Sequence, residues 1–353
     1  MKKGLSLVQL VDDTLREGLQ SPGISFKIEE KIKIAELLGK SGIENAIVSY
    51  PSAHWSEKKV TEEIINKKLI KNVYGLGRAI KSDIDEIFNC GAHIALHFPF
   101  KYENIDKIID DIKYSLKKDE FTSVALVDVV ANRSAVIDIL KKLDEIGLRK
   151  VQLPDTTGNA TPKFMRNLIK DSLKILKNNI DIEVHCHNDY GLSVSNCLAA
   201  IEEGATSVSV TVYGIGERNG IADLFVMYNA LKKEGYNLRL DETALLELYK
   251  YVEDLILKKI GYKFFFYNFP IVGINTNTMT AGTHASYISV FSQERFSVNV
   301  YAGKSLIKKI LDKYGINLSD EKLASLVNLV KEISVKDGKA LTYEDVLKLS
   351  KEV

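Results

Sequence analysis

Residues 182–212 have the sequence IEVHCHNDYGLSVSNCLAAIEEGATSVSVTV, and this stretch decides the fold. Its two ends, residues 182–186 and 207–212, are short runs rich in β-branched residues, which is typical of strands. Between them, residues 192–203 have apolar residues at the spacing of an amphipathic helix, and Gly204 follows at the position where helices commonly end. The order strand, helix, strand predicts a parallel sheet with the helix packed on one face.

The same unit recurs along the first two thirds of the chain. Eight units joined by right-handed crossovers most simply close into a barrel, so we predict the α/β class and a (β/α)8 TIM barrel. A doubly wound open sheet is the alternative arrangement of these units. The other predicted strands are residues 7–11, 45–49, 72–76, 93–97, 122–127 and 150–153, and the other predicted helices are residues 28–40, 57–68, 82–90, 105–116, 135–146, 162–176 and 223–234.

The pattern changes after Gly235. One long helix is predicted over residues 241–260, and three shorter helical segments follow a polar stretch at residues 270–286. We expect residues 1–238 to form the catalytic barrel. The remainder, residues 239–353, is expected to be an α-helical C-terminal extension that packs on the barrel or on a partner subunit, with no regulatory domain.

The composition excludes several classes of protein. Of the 353 residues, 45% are hydrophobic and 27% are charged, as in ordinary globular proteins. The 48 basic and 47 acidic residues give a net charge of +1, which leaves no basic excess for nucleic acid. The three cysteines form no CxxC pair, and no apolar run is long enough to span a membrane. We expect a cytoplasmic protein with neither a nucleic-acid partner nor a membrane partner.

Polar residues collect where the predicted strands end, and TIM barrels carry their active sites there. His185 and His187 are two residues apart on a strand and therefore point to the same face. Glu17 follows the first strand, and two imidazoles with one carboxylate leave positions open on a catalytic metal. The alternative is that both histidines are ordinary polar residues of the core. The residues after the first strand that could line this mouth are Asp13, Arg16, Glu17 and Gln20.

Four motifs lie at or next to the ends of predicted strands. They are DDTLREGLQSPG at 12–23, LPDTTGNATP at 153–162, EVHCHNDYGLSVSNCLAAIEEGA at 183–205 and TVYGIGERNG at 211–220. These motifs resemble those of the metal-dependent Claisen-condensing barrels, a family that contains the isopropylmalate, homocitrate and citramalate synthases, with HMG-CoA lyase as a more distant member. The resemblance implies an acyltransferase of amino-acid biosynthesis, a homodimer that condenses acetyl-CoA with a small 2-oxo acid on a divalent cation such as Mg²⁺, Mn²⁺ or Zn²⁺.

The resemblance also implies roles for single residues. Arg16 would stabilise the enolate oxygen of the acyl-CoA, and Thr156 would contact the carboxylate of the 2-oxo acid. Glu217 and Arg218 would organise the loop that meets the thioester, and His284 would take part in proton transfer from the acetyl methyl group. The implied catalytic residues are thus Arg16, Glu217 and His284, and the implied metal ligands are Glu17, His185 and His187.

Two positions depart from the family pattern. The segment GIENAIVSYP, residues 42–51, has Ile47 where the family normally carries a Glu that supports the arginine of the site. Ile221 stands where isopropylmalate synthases have an asparagine metal ligand, whereas the form GERNGI is the one that homocitrate synthases show. We therefore expect a water molecule in place of that asparagine.

The substrate is predicted to be short or apolar. In homocitrate synthases a histidine and an arginine hold the far carboxylate of 2-oxoglutarate, and Leu76 and Ala125 align with them here. A buried carboxylate without a partner is costly, so pyruvate or 2-oxoisovalerate is expected to be preferred. Arg78 or His97 could compensate. The predicted substrate-binding residues are Gln20, Leu76, Arg78, His97, Ala125, Thr156 and Arg218.

A divergent paralogue is the alternative to a working synthase. It could be a lyase or aldolase, a condensing enzyme of specialised metabolism, or a metal-binding barrel without catalysis. The lyase subgroup normally has a cysteine in the loop after the eighth strand. The segment GIGERNG, residues 214–220, contains none, which argues against a lyase.

Overall fold

The computed structural model describes residues 8–100, 105–178, 180–262, 269–273, 278–279 and 295–353. Eight parallel strands form a closed barrel in the order of the sequence, and β1 pairs with β8 to complete it. This confirms the predicted TIM barrel and rules out the open sheet. The strands are β1 (Gln9–Asp12), β2 (Asn45–Ser49), β3 (Asn72–Arg78), β4 (His93–Phe98), β5 (Ser123–Leu126), β6 (Lys150–Asp155), β7 (Asp181–Cys186) and β8 (Ser207–Val210).

Helices alternate with these strands and cover the outside of the barrel, as the sequence predicts. The N-terminus of α6 shows why one begins where it does: Thr161 Oγ1 accepts the backbone N–H of Phe164, and Pro162 opens the first turn. The helices are α1 (Ile28–Lys40), α2 (Trp55–Asn66), α3 (Lys81–Asn89), α4 (Ile105–Lys118), α5 (Arg133–Glu145), α6 (Pro162–Ile175), α7 (Ser193–Glu203), α8 (Leu224–Lys233) and α9 (Glu242–Ile260).

The chain divides into two compact units, Met1–Phe264 and Phe265–Val353. The helix α9 packs on α1 and belongs to the first unit. The boundary predicted between residues 238 and 239 stays a prediction, and the second unit lies within the predicted helical extension. Its helices are α10 (Lys304–Lys313), α11 (Asp320–Asp337) and α12 (Tyr343–Leu349), and a parallel pair of short strands, β9 (Thr278–Met279) and β10 (Arg295–Phe296), precedes them.

The second unit has a hydrophobic core of its own. Leu306 and Ile310 of α10, Leu326 and Val330 of α11, and Val346 of α12 are all fully buried within it. In the parts of the chain that the structure describes, every helix is too short or too polar to cross a membrane.

One half of the barrel interior is apolar. Val11, Ile47, Tyr74, Leu76 and Ala95 form a buried cluster contributed by β1 to β4. Parallel strands buried on both faces are expected to be apolar in this way.

The opposite half of the interior is charged. The Glu183 carboxylate of β7 accepts hydrogen bonds from Lys150 Nζ at 2.9 Å, Gln152 Nε2 at 2.7 Å and Ser209 Oγ at 2.6 Å. Burial by itself raises the pKa of Glu183, but the charge of Lys150 and these hydrogen bonds outweigh burial, so that this pKa is lowered. The sequence did not predict this ion pair. Glu183 lies two residues before His185 on β7, so the two side chains point to the same face.

Candidate metal centre and active site

Three candidate metal ligands meet at the mouth of the barrel. Glu17 begins the short 3-10 helix after β1, His185 belongs to β7, and His187 follows that strand. One ligand atom from each lies within 4.8 Å of the others, and all three residues are buried. The structure thus brings together the residues that the sequence grouped.

The two imidazoles are in the state that a metal requires. Burial, the largest cause, lowers the pKa of His185 and of His187, so both rings are neutral near pH 7. Among the described residues, the Nδ1 atom of each ring is buried without a hydrogen-bond partner. An unsatisfied buried polar atom costs about 1–3 kcal/mol, and coordination to a cation would remove that cost. Two imidazoles and a carboxylate also suit a divalent cation chemically, so the residues present fit the group.

Glu17 is held in place from three sides. Its Oε1 accepts the backbone N–H of Glu217 at 2.8 Å, and its Oε2 accepts Arg16 Nη1 at 2.7 Å. The Gln20 amide, turned with its nitrogen towards Glu17, donates to Oε2 at 2.8 Å. A Cβ atom at Gly216 would lie 2.8 Å from Glu17 Oε1, so a glycine is needed there for the carboxylate to approach the loop after β8.

Arg16 is clamped between two carboxylates. Its Nε donates to Asp13 Oδ1 at 3.0 Å, its Nη2 donates to Asp13 Oδ2, and its Nη1 donates to Glu17. Burial alone lowers the pKa of Arg16, but the negative charges of Asp13 and Glu17 outweigh burial and raise it. Burial raises the pKa of the fully buried Asp13, and the charge of Arg16 opposes that rise. The sequence predicts Asp13 at the mouth, but its pairing with Arg16 is visible only in the structure.

Arg218 ties together the loops after β6, β7 and β8. Its Nε and Nη2 donate to the two carboxylate oxygens of Asp189 at 2.8 and 2.9 Å, and Nη2 also donates to the carbonyl of Thr156 at 2.7 Å. The side chain of Glu217 is exposed, while its backbone N–H holds Glu17. Both residues therefore organise the mouth through contacts that the sequence alone could not specify.

The Thr156 hydroxyl lies in the loop after β6. Its oxygen accepts the backbone N–H of Asp128 at 2.9 Å, which fixes its position and leaves its own proton available to a ligand.

The predicted substrate positions on β3, β4 and β5 are neighbours. The register pairs Leu76 with Ala95 and pairs His97 with both Arg78 and Ala125. Leu76 and Ala125 are buried, and His97 is half-buried. Burial, with a smaller contribution from the charge of Arg16, lowers the pKa of His97 to about 4, so this ring is neutral at pH 7.

Arg78 is a predicted substrate residue whose guanidinium is bound to a carboxylate on α3. Its Nε and Nη2 donate to the two carboxylate oxygens of Asp83 on α3, each at 2.9 Å, and its side chain is 62% exposed. The guanidinium is thus already engaged outside the group formed by Glu17, His185 and His187. His284 lies outside the described residues.

The two residues that depart from the family pattern, Ile47 and Ile221, are both buried. Ile47 belongs to the apolar cluster of the barrel interior. Ile221 is buried and forms a backbone bridge with His187, so its side chain supplies no ligand atom.

The fold and this mouth define a class of protein: a closed TIM barrel with a candidate two-histidine, one-carboxylate metal site at the carboxyl ends of its strands. The sequence profile described as HMGL-like matches residues 7–252. The chain belongs to the HMGL-like family.

Curated relatives agree with this assignment, and solved structures share the fold. The chain is 33% identical to the probable 2-isopropylmalate synthase of Archaeoglobus fulgidus, with 100% of this chain and 75% of that protein covered. It is 30% identical to homocitrate synthase 1 of Nostoc sp., with 99% and 98% covered. An HMG-CoA lyase of Acinetobacter baumannii, solved with coenzyme A and 3-methylmalate, has the same fold with a TM-score of 0.63 at 20% identity, with 75% and 98% covered.

Proposed function

We propose that the chain is an acyl-CoA:2-oxo acid C-acyltransferase that condenses acetyl-CoA with a small 2-oxo acid. The observation that carries the proposal is the juxtaposition of Glu17, His185 and His187 with the guanidinium of Arg16, whose side chain is 10% exposed. Curated relatives over nearly the whole chain are named 2-isopropylmalate synthase and homocitrate synthase. The HMG-CoA lyase that shares the fold was solved with coenzyme A, which is consistent with a thioester substrate at this mouth.

The side chains at the mouth divide the task. A divalent cation held by Glu17, His185 and His187 would supply Lewis-acid polarisation of the ketone of the 2-oxo acid. The Thr156 hydroxyl is placed to donate to the carboxylate of that acid. Arg16 has five N–H donors, of which Asp13 and Glu17 use three within the described residues, and those that remain would stabilise the enolate oxygen of the thioester.

The proposed reaction has three steps, which are deprotonation of the acetyl group, C–C bond formation and hydrolysis of the thioester. A base takes a proton from the acetyl methyl group, and the resemblance assigns this step to His284. The enolate carbon attacks the ketone carbon, which forms the C–C bond and leaves a tertiary alkoxide that takes up a proton. Water hydrolyses the thioester, which releases CoA and makes the condensation irreversible.

The walls of the mouth favour a substrate without a second carboxylate. Leu76 and Ala125 offer no charge or hydrogen-bond donor from their side chains, and Arg78 is bound to Asp83. We therefore propose pyruvate or 2-oxoisovalerate as the type of acceptor.

The test is the release of CoA thiol from acetyl-CoA with a panel of 2-oxo acids, run with Mg²⁺, Mn²⁺ and Zn²⁺. Thiol release that requires both the 2-oxo acid and the cation, with a condensed product seen by NMR, supports the proposal. The matched control is Glu17→Ala, which should be inactive at every cation concentration tested. A wild-type protein that binds the cation yet releases no CoA with any 2-oxo acid would refute it.

A further inference from the structure

The two carboxylates that hold Arg16 have different duties. Glu17 is one of the three candidate metal ligands, and the same Oε2 atom that accepts from Arg16 faces the Gln20 amide. Asp13 is not one of those three, although its Oδ2 lies 3.8 Å from Nδ1 of His185, and both of its oxygens accept from Arg16. A guanidinium that donates two hydrogen bonds to one carboxylate has a fixed orientation, whereas a guanidinium with a single hydrogen bond to Glu17 can rotate about it.

The position of Asp13 follows from the barrel register. Val11 pairs with Asn45 and Asp12 pairs with Ala46 on the adjacent strand, so one further step places Asp13 level with Ile47. Asp13 also has the same parity as Val11, which points into the barrel interior. The carboxylate is therefore built into the inner wall directly after β1, and it is fully buried.

Few groups besides Asp13 and Glu17 can hold Arg16. Ile47 lies on β2 next to Asp13, and its side chain belongs to the apolar cluster of the barrel interior. Within the described residues, Asp13 and Glu17 are the acceptors that the Arg16 guanidinium meets. If Glu17 turns its charge to a cation, Asp13 is the partner that keeps the guanidinium in place.

We propose that Asp13 is a positioning residue, which fixes the Arg16 guanidinium for the enolate independently of the cation; this inference rests on the proposed function. The formal charges agree with such a role. A divalent cation and Arg16 bring three positive charges, and Glu17, Asp13 and the 2-oxo acid carboxylate bring three negative ones. Without Asp13, the Arg16 guanidinium would keep one of these three hydrogen bonds, the one to Glu17.

The kinetic test moves the carboxylate from one strand to the next. Asp13→Asn should lower kcat for CoA release by about 10²-fold, since it loosens a preorganised donor, while the KM of the 2-oxo acid changes less than threefold. The affinity for Mn²⁺, measured by calorimetry, should stay within threefold of wild type. The double variant with Asp13→Asn and Ile47→Glu should recover at least tenfold of the lost kcat, because residue 47 is level with residue 13.

A spectroscopic readout is independent of catalysis. In cation-free protein labelled with ¹⁵N, the Nε–H signal of Arg16, assigned by its loss in Arg16→Lys, should exchange slowly with water. Asp13→Asn should accelerate that exchange at least tenfold, and Ile47→Glu added to it should slow the exchange again. This signal separates the two proposals, because it tests the clamp even if no 2-oxo acid is turned over.

The matched control is Asp12→Asn. Asp12 is also buried in this turn, but it accepts from the backbone N–H and the hydroxyl of Thr14, and within the described part of the chain its carboxylate has no hydrogen bond to Arg16. The Asp12→Asn variant should have a lower melting temperature, while the kcat of the folded variant stays within threefold of wild type. A tenfold or greater loss of Mn²⁺ affinity in Asp13→Asn would make Asp13 a metal ligand and overturn the inference. So would an unchanged kcat, an unchanged Nε–H exchange rate, or no recovery of kcat and exchange in the double variant.

Discussion

The backbone N–H of Glu217 donates a hydrogen bond to Oε1 of Glu17 at 2.8 Å, so the loop after β8 fixes a carboxylate that arises after β1. The two strands are neighbours because the barrel closes between them. The closure of the barrel thus orients a candidate metal ligand. A substitution in the loop after β8 should therefore alter cation binding although no ligand is replaced.

Gly216→Ala tests this coupling. The added Cβ would lie 2.8 Å from Glu17 Oε1, so the carboxylate must move, and we expect the affinity for Mn²⁺ to fall at least tenfold. Glu17→Ala should abolish binding. The control is Gly303→Ala, where an added Cβ meets no atom within 4 Å, and its affinity should match wild type. Calorimetric titration of chelator-treated protein gives the constants, and equal affinities for the two glycine variants would contradict the coupling.

The stability of the cation-free protein should depend on His97. Its pKa is lowered to about 4 in the folded state, against an ordinary value of about 6.5, so the unfolded chain binds more protons between these values. The free energy of unfolding should therefore decrease as the pH falls from about 6.5 to 4, by at most about 1.4 kcal/mol per pH unit. The decrease should be smaller than this limit because the ring is half-buried. His97→Gln should flatten this part of the urea-unfolding curve plotted against pH. A His97→Gln curve with the same slope as wild type between about pH 6.5 and 4 would contradict this prediction.

The repeated units and the strand-end motifs were enough to predict the barrel and the grouping of Glu17, His185 and His187. Both follow from periodicity, because all parallel strands of a barrel deliver their carboxyl ends to one mouth. The choice of partner by a long side chain leaves no such periodic signal. Only the structure therefore shows that Arg16 pairs with Asp13 and that Arg78 pairs with Asp83 on α3.

Substrate discrimination should favour acceptors without a second carboxylate. Burying that group unpaired beside Leu76 and Ala125 costs roughly 2 kcal/mol or more, which corresponds to about 30-fold in kcat/KM against 2-oxoglutarate. Steady-state CoA release with pyruvate, 2-oxoisovalerate and 2-oxoglutarate measures the ratio. Arg78→Ala should leave it unchanged because Asp83 already binds that guanidinium. A higher kcat/KM for 2-oxoglutarate than for the two other acids would show that the prediction is wrong.

The charged half of the barrel interior makes a prediction about stability. Glu183 is buried, Lys150 is 12% exposed, and the two lie 2.9 Å apart. Lys150→Met therefore leaves an uncompensated buried carboxylate and should cost about 3–5 kcal/mol of unfolding free energy. Replacing both residues by Met should restore most of that loss. Lys71→Met removes the exposed pair with Glu44 and should change the free energy by less than about 1 kcal/mol. Urea unfolding at pH 7 compares the variants, and a double variant as unstable as Lys150→Met would contradict the argument.

Arg16→Ala should separate catalysis from cation binding. The residue contributes N–H donors rather than a metal ligand, so the Mn²⁺ affinity should remain close to wild type while kcat falls by about 10²–10³-fold. The matched control is Arg166→Ala, which removes a surface guanidinium paired with Glu202 at 2.6 Å and should leave both quantities unchanged. Exchange of the acetyl methyl protons with deuterated solvent locates the defect, because an enolate that is not stabilised does not form, and exchange should slow in parallel with CoA release. If exchange continued at the wild-type rate while condensation stopped, Arg16 would act on the later C–C bond-forming step, and the enolate role proposed for it would be wrong.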